Sequence, residues 1–126
     1  MSNEYYETLF VMDRIEDLAV RKFVTLSNFG RKFGKSPAWA YNALCNGSNF
    51  KIKKINEIAK LLDVNLEYLF TGKNKQPYNG AIDTQKVIDN IPPKHKNILK
   101  EELTLSTLLN VLRITKKNIN DFITGE

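Results

Sequence analysis

The chain has 126 residues, 42% of them hydrophobic and 26% charged. That suits one ordinary domain, or a small domain with an appendage, and does not suit a disordered chain. No apolar run approaches the ~20 residues that a membrane helix needs, the opening MSNEYYETLF is unlike a signal peptide, and a single Cys excludes an internal disulfide, so a cytoplasmic protein is expected.

The net charge of +5 is unevenly spread. Residues 1–24 carry three basic and five acidic groups, residues 25–72 seven and three, and residues 73–126 nine and six. The positive excess thus begins near Thr25. A basic patch is the usual electrostatic footprint of a nucleic-acid binder.

Strand signals are nearly absent, and helical periodicity is widespread. Tyr5, Tyr6, Leu9, Phe10 and Val11 predict an extra helical turn or two packed on the core. Ile15, Leu18, Ala19 and Phe23 mark the inner face of a first helix. Thr25 is a candidate N-cap for a helix in which Leu26, Phe29 and Phe33 face inward. Gly34 comes next as its stop, where a left-handed residue suits glycine. Ser36-Pro37 predicts a new helix start, and Asn46-Gly47 its end. Within it, Tyr41, Leu44 and Cys45 predict the inner face, which makes Cys45 a small core residue. Ala38, Trp39, Asn42 and Ala43 are then left outside. Gly30 costs ~1 kcal/mol against alanine in a helix, a cost that close approach of the next helix would explain.

A further helix carries Ile52, Ile55, Ala59 and Leu62 inward, and a short one Leu66, Leu69 and Phe70. Gly72–Gly80 reads as a linker. Helices are expected around Ala81–Asn90 and Lys94–Leu103, on either side of Pro92-Pro93. The chain ends in a partial echo: Thr104–Gly125 begins Thr-Leu-Ser like Thr25-Leu26-Ser27, with Leu108 and Leu112 matching Phe29 and Phe33. Here Leu109 stands where Gly30 would, and Arg113 where the turn glycine would. The echo is open to two readings, a structural or dimerising helix pair and a second DNA reader, whose exposed residues would be Lys116, Lys117, Asn118, Asn120 and Asp121.

Two short helices joined by a tight turn, with small and polar residues on the outer side of the second, suit a helix laid in the major groove of DNA. The stretch Ile58-Ala59-Lys60-Leu61-Leu62-Asp63-Val64-Asn65-Leu66-Glu67-Tyr68-Leu69-Phe70-Thr71-Gly72 completes the pattern. Over residues 13–72 the chain resembles the phage-repressor/Cro-like (XRE) helix-turn-helix family. The resemblance implies an all-α fold: a five-helix lambda-repressor-like helix-turn-helix domain within residues 1–72, a linker at 73–80, and a helical appendage at 81–126. It implies a transcription regulator of repressor type that binds a double-stranded DNA operator as a homodimer, with half-sites one helical turn (~34 Å) apart. Base reading would fall to Ala38, Trp39, Asn42 and Ala43. Phosphate contact would fall to Thr25, Ser27, Lys35, Ser36, Asn46, Ser48, Asn49, Lys51, Lys53 and Lys54. The chain is one residue longer than the family pattern between Gly34 and Gly47, and the extra residue is placed around Ser36-Pro37.

Other readings stand beside this one. Trp39 could stack on DNA or pack against a neighbouring helix. The scaffold could bind another protein through Tyr5, Tyr6 and Trp39. His95 has no ligand partner nearby in sequence, and no phosphate loop, metal spacing or nucleophile elbow is present. No enzyme activity, cofactor or metal is expected.

Overall fold

A computed structural model describes residues 7–36, 38–45, 50–91 and 102–124. The protein is all-helical. Among the described residues it forms α1 (Thr8–Phe23), α2 (Leu26–Lys32), α3 (Trp39–Cys45), α4 (Ile52–Leu62), α5 (Leu66–Thr71), α6 (Thr84–Asp89), α7 (Leu105–Thr115) and a 3-10 turn at Ile119–Phe122. No helix of the described residues is long and apolar enough to cross a membrane.

Some helix starts carry side-chain caps, whereas α1, α4 and α5 begin without one. The Asn28 N–H donates to Thr25 Oγ1 at 3.1 Å, and the Asp83 carboxylate accepts from the Gln85 and Lys86 N–H groups. At Asn118 the cap is reciprocal: its side chain receives a backbone N–H, and Asp121 receives the Asn118 N–H. Such caps satisfy N–H groups that a helix start leaves without a partner.

One core joins all these elements. Ile15, Phe29, Ile55, Leu69, Leu108 and Phe122 are each at most 1% exposed and belong to one apolar cluster. α1 packs against α2, α4 and α5, and it also meets α7. The expected N-terminal packing is only partly present. Val11 is buried, but Leu9 is 65% and Phe10 40% exposed, because the helix turns them away from the stripe that Val11 shares with Ile15. Tyr5 and Tyr6 lie outside the described residues, as do Pro37 and most of the helix expected at Lys94–Leu103.

The loop at 73–80 is pinned to the α4–α5 corner. Asn65 donates its N–H to the Gln76 carbonyl at 2.9 Å, and its side chain receives the Gln76 N–H at 3.0 Å. The Tyr78 N–H donates to Asp63 Oδ1. Farther on, the Ile82 N–H donates to Asn56 Oδ1 at 2.9 Å, which holds the approach to α6 against α4.

The C-terminal echo proves to copy a different part of the chain. α7 runs for 11 residues, against 7 for α2, and its second limb is one 3-10 turn of four residues. That turn is too short to lie along a DNA groove as a reading helix. α7 has the length of α4, and α7 and its turn bury residues at many of the positions that α4 and α5 do. The Thr-Leu-Ser start that suggested α2 is a capping signal, and any helix start can use it.

Candidate nucleic-acid interface

α2 and α3 cross at a glycine. A Cβ added at Gly30 would stand 3.7 Å from the Ala40 Cβ and 3.2 Å from the Ser36 carbonyl oxygen. The close approach anticipated for Gly30 is therefore present. Between the helices Gly34 adopts φ +68°, a left-handed conformation that glycine takes without steric cost. The Lys35 N–H returns to the Gly30 carbonyl at 3.1 Å, closing the turn. α3 opens with the Trp39 N–H donating to the Ser36 carbonyl at 3.0 Å.

This crossing sets the rotation of α3, and the rotation differs from the expected one. Ala40 is fully buried against Gly30. Trp39, Ala43 and Leu44 are half-buried and packed on the core. Tyr41, expected inside, is 64% exposed, and Cys45 is exposed as well. Of the four expected base readers, Ala38 and Asn42 are exposed, while Trp39 and Ala43 face the core. The outward strip is therefore Ala38, Tyr41, Asn42 and Cys45. The sequence carries a signal for this rotation: a glycine on α2 calls for a small residue opposite, Ala40 is that residue, and Tyr41 is turned outward beside it.

Trp39 belongs to a ladder of rings. Phe23, Phe29, Phe33, Trp39 and Phe50 succeed one another with centroid spacings of 5.8, 5.4, 5.6 and 6.4 Å. These spacings are in the range where edge and tilted contacts add to burial. The ladder fastens α3 to the start of α4, which carries the lysines. Lys54 Nζ lies 4.9 Å from the Phe33 ring centroid and pairs with Glu57 at 2.9 Å. Lys51 pairs with Glu102 at 3.2 Å, both side chains half exposed or more, so the pair adds little. Lys53 is exposed.

The expected phosphate contacts separate accordingly. Lys35, Ser36 and Lys53 are exposed at the turn and at the start of α4. Thr25 is exposed, with its hydroxyl capping α2, and Ser27 is half-buried. Lys54 is partly committed to Phe33 and Glu57. Asn46, Ser48 and Asn49 lie outside the described residues. From Leu18 to Asn56 the chain has eight Lys and Arg residues and no Asp or Glu, and the acidic groups near the site, Asp13, Glu16, Glu57 and Glu102, come from outside that stretch.

The opposite flank of α3 has another character. Leu9, Met12, Asp13, Glu16, Tyr41 and Cys45 line part of a groove of about 240 Å³ between α1 and α3. Its floor is apolar and its α1 rim acidic. Arg14, on the same helix, points elsewhere and donates to the Leu69 carbonyl at 2.9 Å. Burial lowers its pKa from the usual arginine value, and Tyr68 and Asp13 act in the opposite sense. Its role is to tie α1 to α5. Among the described residues no cluster of His, Cys, Asp and Glu could hold a metal, and His95 lies outside them.

Compared with known proteins, the chain matches no family model, no curated protein and no solved structure.

Proposed function

We propose that the protein is a DNA-binding transcription regulator of repressor type, acting in the cytoplasm. α2 and α3 form its helix-turn-helix, within a lambda-repressor-like arrangement of α1–α5. The observation that carries this reading is the Gly30–Ala40 crossing. It seats α3 on a buried small residue and turns Ala38, Tyr41 and Asn42 outward, inside a stretch that holds eight positive charges and no negative one. A short helix fixed in this way, flanked by Lys35 and Lys53, supplies side chains for base edges and cations for phosphates. Tyr41 joins Ala38 and Asn42 on the reading face in place of Trp39 and Ala43.

The test is selection from a pool of random duplexes, with gel-shift titration of the enriched sequence at two salt concentrations. An enriched sequence whose affinity falls as salt rises supports the reading. Failure to bind any duplex near physiological salt removes it. One observation favours a second reading in that event. The apolar groove rimmed by Asp13 and Glu16, with Leu9 and Tyr41 exposed beside it, suits a basic amphipathic segment of a protein partner.

A further inference from the structure

The α4–α5 unit occurs twice in this chain. Each residue of Ile52–Gly72 has a counterpart 53 positions later, so that Ile52 corresponds to Leu105 and Asn65 to Asn118. α4 and α7 are both 11 residues long. Both end on a left-handed residue that is not glycine, Asp63 in one and Lys116 in the other. Two residues on, Asn65 and Asn118 each precede the next helical turn. The closing sequences, Asn-Leu-Glu-Tyr-Leu-Phe-Thr-Gly and Asn-Ile-Asn-Asp-Phe-Ile-Thr-Gly, correspond without a gap. Several positions are buried in both, Ile55 and Leu108, Leu66 and Ile119, Leu69 and Phe122, whereas Val64, Asn65 and Phe70 are buried and their counterparts Lys117, Asn118 and Ile123 are not.

The copies face each other. Lys51 and Thr104, which precede α4 and α7, form an antiparallel bridge. The Ile52 N–H donates to the Leu103 carbonyl at 2.9 Å, and the Leu105 N–H donates to the Phe50 carbonyl at 2.7 Å. A shift of 53 positions turns each of these bonds into the other. α4 packs on α7, and α5 packs on the 3-10 turn, so each contact joins an element to its own counterpart. This is the isologous pattern of a two-fold dimer, here within one chain.

We propose that residues 103–124 are a built-in partner. They occupy the face of α4 and α5 that a second molecule would otherwise take, in place of the homodimer that the helix-turn-helix resemblance implies. Among the described residues the partner repeats α4 and α5 alone and adds no second pair like α2 and α3. If the proposed DNA binding holds, on which this step rests, one molecule engages one unrepeated site and not a two-fold operator.

The decisive experiment places cysteines at the bridge, Lys51→Cys with Thr104→Cys, in a Cys45→Ser background. In a bridge of this kind the Cα atoms stand about 4.5 Å apart, within the roughly 4.4–6.8 Å that a disulfide spans. Mild oxidation should close the disulfide within single chains at every protein concentration, and the unmodified protein should sediment at its monomer mass of 14.5 kDa. A covalent dimer, or no disulfide at all, overturns the built-in partner. With the selected duplex, doubling the site at one-turn spacing should improve affinity by no more than about twofold. A gain of 100-fold or more, as linked sites give, overturns the single-site mode. A chain that closes the internal disulfide and binds no DNA keeps the built-in partner and removes the DNA reading.

Discussion

Gly30 and Ala40 meet so closely that a methyl group on Gly30 would stand 3.7 Å from the Ala40 Cβ and 3.2 Å from the Ser36 carbonyl. The second of these contacts is with backbone, which cannot rotate aside. Gly30→Val is expected to destabilise the protein, since overpacking costs about 1–3 kcal/mol and the gain in helix propensity is only a few tenths. Urea denaturation should show a lower midpoint with an unchanged slope. An unchanged midpoint would mean that α2 and α3 can separate freely.

Trp39 and Tyr41 are expected to behave oppositely. Trp39→Ala removes the ring that joins Phe33 to Phe50 and should cost about 2–3 kcal/mol, below the 3–5 typical of a fully buried aromatic because the indole is only partly buried. Tyr41→Ala should stay within about 0.5 kcal/mol of the parent, as exposed positions do, yet shift the sequence enriched from random DNA. An identical enriched sequence would take Tyr41 off the reading face.

The lysines should separate likewise. Lys35→Ala and Lys53→Ala should weaken binding to all duplexes and reduce the salt slope by about 0.9 each, if each neutralises one phosphate. Lys54→Ala should instead lower stability by about 0.5–1 kcal/mol through loss of its contact with the Phe33 ring. Titrations at several salt concentrations, with thermal melts alongside, distinguish the two behaviours.

Val24 ends α1 with φ at 74°, and it is 75% exposed. A β-branched residue in that region is strained by about 1–3 kcal/mol. Glycine adopts it readily, at some entropic cost in the unfolded chain. Val24→Gly is therefore expected to raise stability by about 1 kcal/mol, read as an increase in melting temperature. A decrease would show that the valine side chain contributes more than its exposure implies.

The helices that carry strong apolar contrast were legible in the sequence. α4 buries Ile52, Ile55, Ala59 and Leu62 as their spacing predicts, and Thr25 caps α2 as its chemistry predicts. The rotation of α3 was not legible. Its seven residues make about two turns and mix alanines with one Trp, one Tyr and one Cys, so periodicity alone favours no face. Ala40 faces inward because Gly30 leaves room for it, and that contact depends on the fold of the turn between them. The repeat of α4–α5 was hidden for a related reason. Ile58-Ala59 and Val111-Leu112 share burial but little identity, and beyond the closing Asn and Thr-Gly the match lies in a left-handed residue that only backbone angles reveal.

Trp39 is the only tryptophan in the chain. It stands on the ring ladder between the α2–α3 turn and Phe50, one residue before the Lys51–Thr104 bridge. The molecule thus carries an optical gauge at a junction through which α3 is held in place. Loosening of α3 should redden and quench the indole emission while most of the helical circular dichroism persists. Detachment of this one helix can then be timed separately from collapse of the whole fold.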